Sequence, residues 1–143
     1  MYFLDTCLLI NILRKKMPYV RRKMEACDPG FFAVPSVVYG ELLLGAFKSN
    51  NPHNAEMHVE KLVQPFEIVP FDARCARTYA RIRADLEGRG RTIGPNDLII
   101  AATALANEAV LVTSNVGEFK RVSGLRLEEW AEVDLPPATD ANH

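Results

Sequence analysis

The chain alternates short, wholly apolar runs with longer stretches whose apolar residues recur every three or four positions. YFL at 2–4, FFAV at 31–34, FEIVPF at 66–71 and VLVTS at 110–114 read as buried strands. A short fifth strand near 125–127 follows Gly124. Between these runs the period lengthens to that of a helix. LLINIL at 8–13 predicts one helix, and Pro18 opens another at its first turn. After the Asp28-Pro29-Gly30 turn, Pro35 breaks the second strand and Ser36 offers an N-cap. The helix that follows carries Val38, Leu42 and Gly45 or Ala46 on one stripe. Residues 49–52 form a loop before a helical stretch through Leu62. Asp72 caps a helix with Cys75, Tyr79, Ile82 and Leu86 on one face, which Gly88 ends. Gly94-Pro95-Asn96 leads into a last long helix from Asp97 to Asn107.

Strands rich in Val, Ile, Leu and Phe, separated by helices, predict an α/β fold. Its core is a mostly parallel sheet of four or five strands with helices on both faces. At 143 residues and 48% apolar composition, the chain has material for one core. One domain is expected over 1–132, with a flexible tail at 133–143. Three cysteines, Cys7, Cys27 and Cys75, with no close pair, argue against a disulfide framework and for a reducing compartment. With no signal sequence and no apolar run of the roughly 18–20 residues a membrane span needs, a cytoplasmic protein without a membrane partner is expected.

In sheets of this kind, sites form beyond the carboxyl ends of strands. Asp5 ends the first strand, where a carboxylate is costly to bury unless paired, hydrogen-bonded or metal-bound; capping the 8–13 helix is the alternative. Glu41 interrupts the apolar helix VVYGELLLGAF, which argues against full exposure. Asp97 opens the helix LIIAATALA, where the helix dipole alone could account for it. Thr113, Ser114 and Asn115 follow the fourth strand, and Glu118 is either a first-turn acid or a further ligand. Gathered carboxylates repel one another, and a hard cation such as Mg²⁺ or Mn²⁺ removes that cost. Zinc is disfavoured, because His53, His58 and His143 lie in a polar segment and the tail. There is no GxSxG elbow, no GxxxxGK[ST] loop and no GxGxxG.

These segments also resemble a known family. LDTCLLI at 4–10, PSVVYGELLLGA at 35–46, IGPNDLIIAATALANEAVLVTSNVGEF at 93–119 and VSGLRLEEW at 122–130 are similar to PIN-domain ribonucleases, above all VapC-like toxins of toxin–antitoxin pairs. The resemblance implies a metal-dependent endoribonuclease, cleaving RNA such as transfer RNA and held inactive by a cognate antitoxin. It implies an acidic quartet around Mg²⁺ or Mn²⁺, carried here by Asp5, Glu41, Asp97 and Glu118. Glu118 enters because asparagine, Asn115, stands where many members have an aspartate. Thr6, Thr113 and Asn115 are implied to order water or phosphate oxygens. A homodimer, within a larger toxin–antitoxin complex, is also implied, and surplus apolar residues at 37–47 and in LLINIL point the same way. The alternative is a catalytically decayed module of the same fold that only binds RNA or protein.

The net charge of −1 gives no general attraction to nucleic acid. The basic residues are nevertheless clustered, in Arg14 to Lys23 and again in Arg74 to Arg91. Arg74, Arg77 and Arg81 fall on one helical face, with Arg89 and Arg91 leading toward Asp97. Arg77 and Arg81 are therefore expected to meet RNA or the antitoxin, against the plainer reading of a solvated helix face.

Overall fold

The computed structural model describes residues 1–132, so the expected tail at 133–143 lies outside the described residues. Five strands form one sheet: β1 (Tyr2–Leu4), β2 (Phe32–Pro35), β3 (Glu67–Val69), β4 (Val110–Val112) and β5 (Arg126–Glu128). Their order is β3-β2-β1-β4-β5 and every pairing is parallel. The helices are α1 (Thr6–Leu13), α2 (Pro18–Glu25), α3 (Ser36–Phe47), α4 (Pro52–Val63), α5 (Ala73–Gly88), α6 (Pro95–Ala106) and α7 (Val116–Phe119). Among the described residues no helix is long and apolar enough to cross a membrane.

The burial of each strand follows its place in the sheet. Leu4, Ala33, Val34, Leu111 and Val112, on the three inner strands, are at most 1% exposed, which is why those strands read as unbroken apolar runs. The edge strand β5 instead reads exposed, half-buried, exposed over Arg126, Leu127 and Glu128. α6 is buried on nearly every side through Ile100, Ala101, Ala102, Thr103 and Ala104, and its small side chains let neighbouring elements approach closely. On α5 the predicted stripe holds, with Cys75, Ile82 and Leu86 buried and Tyr79 half-buried.

Several boundaries move for identifiable reasons. Residues 29–31 form a 3₁₀ turn, so β2 begins at Phe32 and Phe31 is left exposed. β3 is three residues long, because Pro70 has no N–H to continue a ladder. α3 starts at Ser36 itself, with Pro35 in the cap position and no side-chain cap, so Ser36 is not the N-cap. α6 starts at Pro95, where proline's fixed φ suits the first helical position, which puts Asp97 third rather than first. α5 does run to Gly88, but the left-handed residue is Gly90, with φ of 66°. The Arg91 N–H reaches back to the Leu86 carbonyl to close that helix end.

The chain after β5 folds back onto the body. The Trp130 ring meets Tyr2 and Phe32 edge-on, at 5.5 and 5.9 Å between centroids. The Glu132 carboxylate accepts from the N–H groups of Tyr19 and Val20, at 2.7 and 3.1 Å. It thereby caps α2, whose own N-cap residue, Met17, offers no side-chain oxygen.

Candidate active site

Strand order reverses at β1, so the carboxyl ends of β1 and β4 border the crevice where α/β sheets place their sites. Asp5 stands at this point and is only 4% exposed. Its backbone N–H donates to the Val112 carbonyl, as one more rung of the sheet. Oδ1 accepts from the Thr6 N–H at 2.8 Å, and Oδ2 accepts from the Thr113 hydroxyl at 2.6 Å and the Cys7 thiol at 3.3 Å. Asp5 is therefore both the N-cap of α1 and a buried carboxylate oriented from three sides. The two roles read as alternatives in the sequence are compatible.

The other acids arrive from three more elements. Glu41, on α3, is half-buried. Its Oε1 accepts from the Thr6 hydroxyl at 2.6 Å, and its Oε2 accepts from the Asn96 side-chain amide at 3.1 Å. Glu118, on α7, accepts from the Gly94 N–H at 2.8 Å and from the Asn115 amide at 2.7 Å. Asn115 therefore acts here as a donor to Glu118. Its own N–H donates to the Thr113 hydroxyl at 2.9 Å, so Thr113 links the loop after β4 to Asp5.

Asp97, in the first turn of α6, faces the rest. Burial pushes its pKa from 3.8 up to about 7, helped by the negative charges of Glu118, Asp5 and Glu41 and by a hydrogen bond shared with Glu118. The Glu118 carboxyl shifts the other way, lowered first by the Gly94 N–H and then by Asn115. A proton shared by this pair rests on Asp97. Gly94 borders the pair, and a Cβ there would make only ordinary contact, 3.5 Å from Asp97 Oδ2 and 3.8 Å from Glu118 Oε1.

All four donors are hard carboxylate oxygens, and they fit a divalent cation in kind and charge. Their positions are those of an open site. Among the described residues, no group of three or more His, Cys, Asp or Glu side chains forms a ready ion cage. Glu41 and Glu118 have both oxygens turned onto hydrogen-bond donors, and burial with the neighbouring charges disfavours the ionised form of Asp97. His53 and His58 are exposed on α4, where His58 shares the rim of a cavity with Glu41, while His143 lies outside the described residues.

Three contributors were not singled out from the sequence. Asn96 reads as a turn residue, yet its side chain ties Glu41 to the start of α6. Cys7 and Ser114 meet across the crevice, with the Ser114 hydroxyl 2.9 Å from the sulfur. Their one sequence signal is proximity, Asn96 beside Asp97 and Cys7 two residues after Asp5.

The basic residues separate into two groups. Arg74 hydrogen-bonds the Ala106 carbonyl and Asn107 at the end of α6 remote from Asp97, and pairs with Asp72, so it leaves the expected row. Arg83 pairs with Glu87, and Arg89 with Asp85. Arg77, Arg81 and Arg91 are exposed and make no ion pair among the described residues.

The apolar surplus is likewise redistributed. LLINIL is divided, with Leu8, Leu9 and Ile12 buried in the core and Ile10 and Leu13 half-buried. On α3 the outward face does carry spare apolar surface, as Leu44 and Phe47 are 57% and 54% exposed. Beside Glu41, a cavity of about 400 Å³ between α1, α3 and α4 is lined by Ile10, Leu13, Leu42, Ala46 and Val59, among others.

Comparison with known proteins gives a consistent result. The PIN domain family matches residues 2–125. The chain is 35% identical over 130 residues to ribonuclease VapC2 of Rickettsia felis, covering 90% of this chain and 97% of that protein. It is also 35% identical to a tRNA(fMet)-specific endonuclease VapC of Shigella flexneri, over 91% and 98% of the two chains. Among solved structures, a chain of the Rickettsia felis VapBC2 complex bound to a promoter DNA fragment superimposes with a TM-score of 0.86 at 34% identity, over 91% of this chain and 98% of that one. A chain of the DNA-bound VapBC complex from Salmonella typhimurium also gives 0.86, at 32% identity and the same coverage.

Proposed function

The chain belongs to the PIN-domain family, in its VapC-like toxin branch, and on that premise we propose that it is a metal-dependent endoribonuclease acting as the toxin of a toxin–antitoxin pair. One observation carries the reading: the carboxylates of Asp5, Glu41, Asp97 and Glu118, brought from four separate parts of the chain, gather near one another, so that burial first and the charges of the other three next raise the Asp97 pKa to about 7. Asp5, Asp97 and Glu41 would hold Mg²⁺ or Mn²⁺, and Glu118 fills the fourth position. When bound, such an ion lowers the pKa of a water and offsets charge on a phosphoryl transition state. Thr113 and Thr6 fix the carboxylates of Asp5 and Glu41. Asn115 and Gly94 do the same for Glu118, so each of these acids has a defined direction before an ion arrives. An in-line displacement by water leaves a 5′-phosphate and a 3′-hydroxyl.

RNA cleavage by the purified chain is expected with Mg²⁺ or Mn²⁺ and is expected to stop with EDTA. Transfer RNA is the first substrate to test, because the Shigella relative is a tRNA(fMet)-specific endonuclease. Cleavage that survives EDTA would remove the metal from the reading. RNA binding with no Mn²⁺ affinity would leave the decayed, binding-only module in its place.

The partner proposed is a cognate antitoxin, as in the VapBC complexes, with the apolar cavity beside Glu41 as its nearest anchoring surface. Arg77 and Arg81, exposed and without ion pairs among the described residues, are proposed to meet RNA phosphates or the antitoxin. Reversing both to Glu is expected to reduce the salt dependence of RNA binding by about one unit of slope for each lost phosphate contact. The melting temperature should not change. An unaltered slope by filter binding would make them ordinary surface residues.

A homodimer is proposed through the outward face of α3. Phe47→Glu together with Leu44→Glu should convert it to a monomer in sedimentation equilibrium at tens of micromolar. A wild-type monomer at that concentration would defeat the proposal.

A further inference from the structure

Cys7 is half-buried in the first turn of α1 and lies in the crevice between the carboxyl ends of β1 and β4. Four polar groups surround its Sγ. The thiol donates to Asp5 Oδ2 at 3.3 Å, and Sγ accepts from the Ser114 N–H at 3.3 Å and the Ser114 hydroxyl at 2.9 Å. The Thr113 hydroxyl lies 3.6 Å away. Chain segments more than a hundred residues apart thus meet on one atom. From these contacts, and resting on the metal-site reading above, we infer that Cys7 is a positioning residue: its sulfur clips the loop after β4 to Asp5 and fixes the direction of the Asp5 carboxylate.

Asp5 is nearly sealed from water, so its orientation depends on the protein groups that reach it. Thr6 takes Oδ1, while Thr113 and Cys7 share Oδ2. Thr113 is itself held by the Asn115 N–H, so the Cys7–Ser114 contact is a second, parallel tie between the same two loops. A thiol suits the place because it is small and apolar enough for a half-buried turn, yet it donates to one side and accepts from the other. Partners of this kind, which orient a ligand without touching the ion, change metal affinity by about 10–100-fold when removed.

The test is Mn²⁺ binding by calorimetry and by the electron paramagnetic resonance signal of free Mn²⁺, on the wild type and three variants. Cys7→Val fills the space with one methyl more than the thiol and removes the hydrogen bonds, Cys7→Ala removes both bulk and hydrogen bonds, and Cys7→Ser restores a donor and acceptor. Val and Ala are expected to weaken Mn²⁺ binding about 10-fold, with Ser within about threefold of wild type. The melting temperatures of Ser and Val should not follow that order. Val binding Mn²⁺ as well as the wild type overturns the inference, because volume alone then suffices. Ser falling as far as Val overturns it too, because restored hydrogen bonding then does nothing. Wild-type protein that binds no Mn²⁺ fails the metal reading itself and takes this inference with it, an outcome distinct from wild-type binding that the variants leave untouched.

Discussion

Asp97→Asn is expected to make the metal-free protein more stable while reducing RNA cleavage by about a thousandfold, the scale of removing one preorganised electrostatic group from a catalytic site. The two effects have one cause. Burial and the charges of Glu118, Asp5 and Glu41 hold the Asp97 pKa at about 7, against an ordinary 3.8. Between those values the folded chain keeps a proton that the unfolded chain has released. Stability therefore falls as pH rises from about 4 through 7, and stays low above. An amide at this position carries no charge to repel and can still donate to Glu118. Allowing for solvent screening in a half-open cleft, the gain at pH 8 is about 1–2 kcal/mol, or roughly 3–8 °C in melting temperature. Thermal denaturation in EDTA at pH 8 and again near pH 4 checks this, since the gain should shrink toward the lower pH. A variant less stable than the wild type at pH 8 would show that the acids do not repel as described.

Asp5→Asn should also abolish cleavage, with the opposite effect on stability. Asp5 is an acceptor on both oxygens, facing the Thr6 N–H, the Thr113 hydroxyl and the Cys7 thiol. An asparagine must turn its NH₂ toward one of these donors. If the Thr113 hydroxyl accepts from that NH₂ on its second lone pair, beside the Asn115 N–H, its own O–H loses the acceptor it had in Asp5. Leaving a buried donor unsatisfied costs about 1–3 kcal/mol, and more where the lost acceptor was charged. Urea denaturation should register a loss of about 2–3 kcal/mol beside an unchanged dependence on denaturant concentration. Equal stability of Asp5→Asn and wild type would mean that the carboxylate is not held as the hydrogen bonds indicate. The pair of variants is informative together, because a generic loss of structure would destabilise both.

How much of this was legible beforehand depends on the range of the interaction. The three inner strands and the long helices are local patterns. Leu4, Val34 and Leu111 sit in apolar runs that only a doubly covered sheet can bury, and α5 carries its stripe in its own spacing. Asp5, Glu41, Asp97 and Glu118 were visible as acids in apolar surroundings or behind a buried strand, and the family resemblance put them in one site. Element ends were less legible, because proline geometry and neighbouring loops decide them, as at Pro35, Pro70 and Pro95.

The sequence by itself determined an α/β chain with a buried parallel sheet and a set of acids at strand and helix ends, because burial, periodicity and desolvation cost act on each residue and its neighbours. It did not determine which donor each acid would meet. Thr6 with Glu41, Asn96 with Glu41, Gly94 with Glu118 and Cys7 with Ser114 join residues from 24 to 107 positions apart. Nor did it show that Arg74 would be spent on the far end of α6 while Arg77 and Arg81 make no ion pair among the described residues, or that Leu8, Leu9 and Ile12 would be core while α3 exposes Leu44 and Phe47. Those outcomes depend on strand order and on the packing of α5 against α6. Only the tertiary structure brings distant groups within the few ångströms over which a hydrogen bond or an ion pair acts.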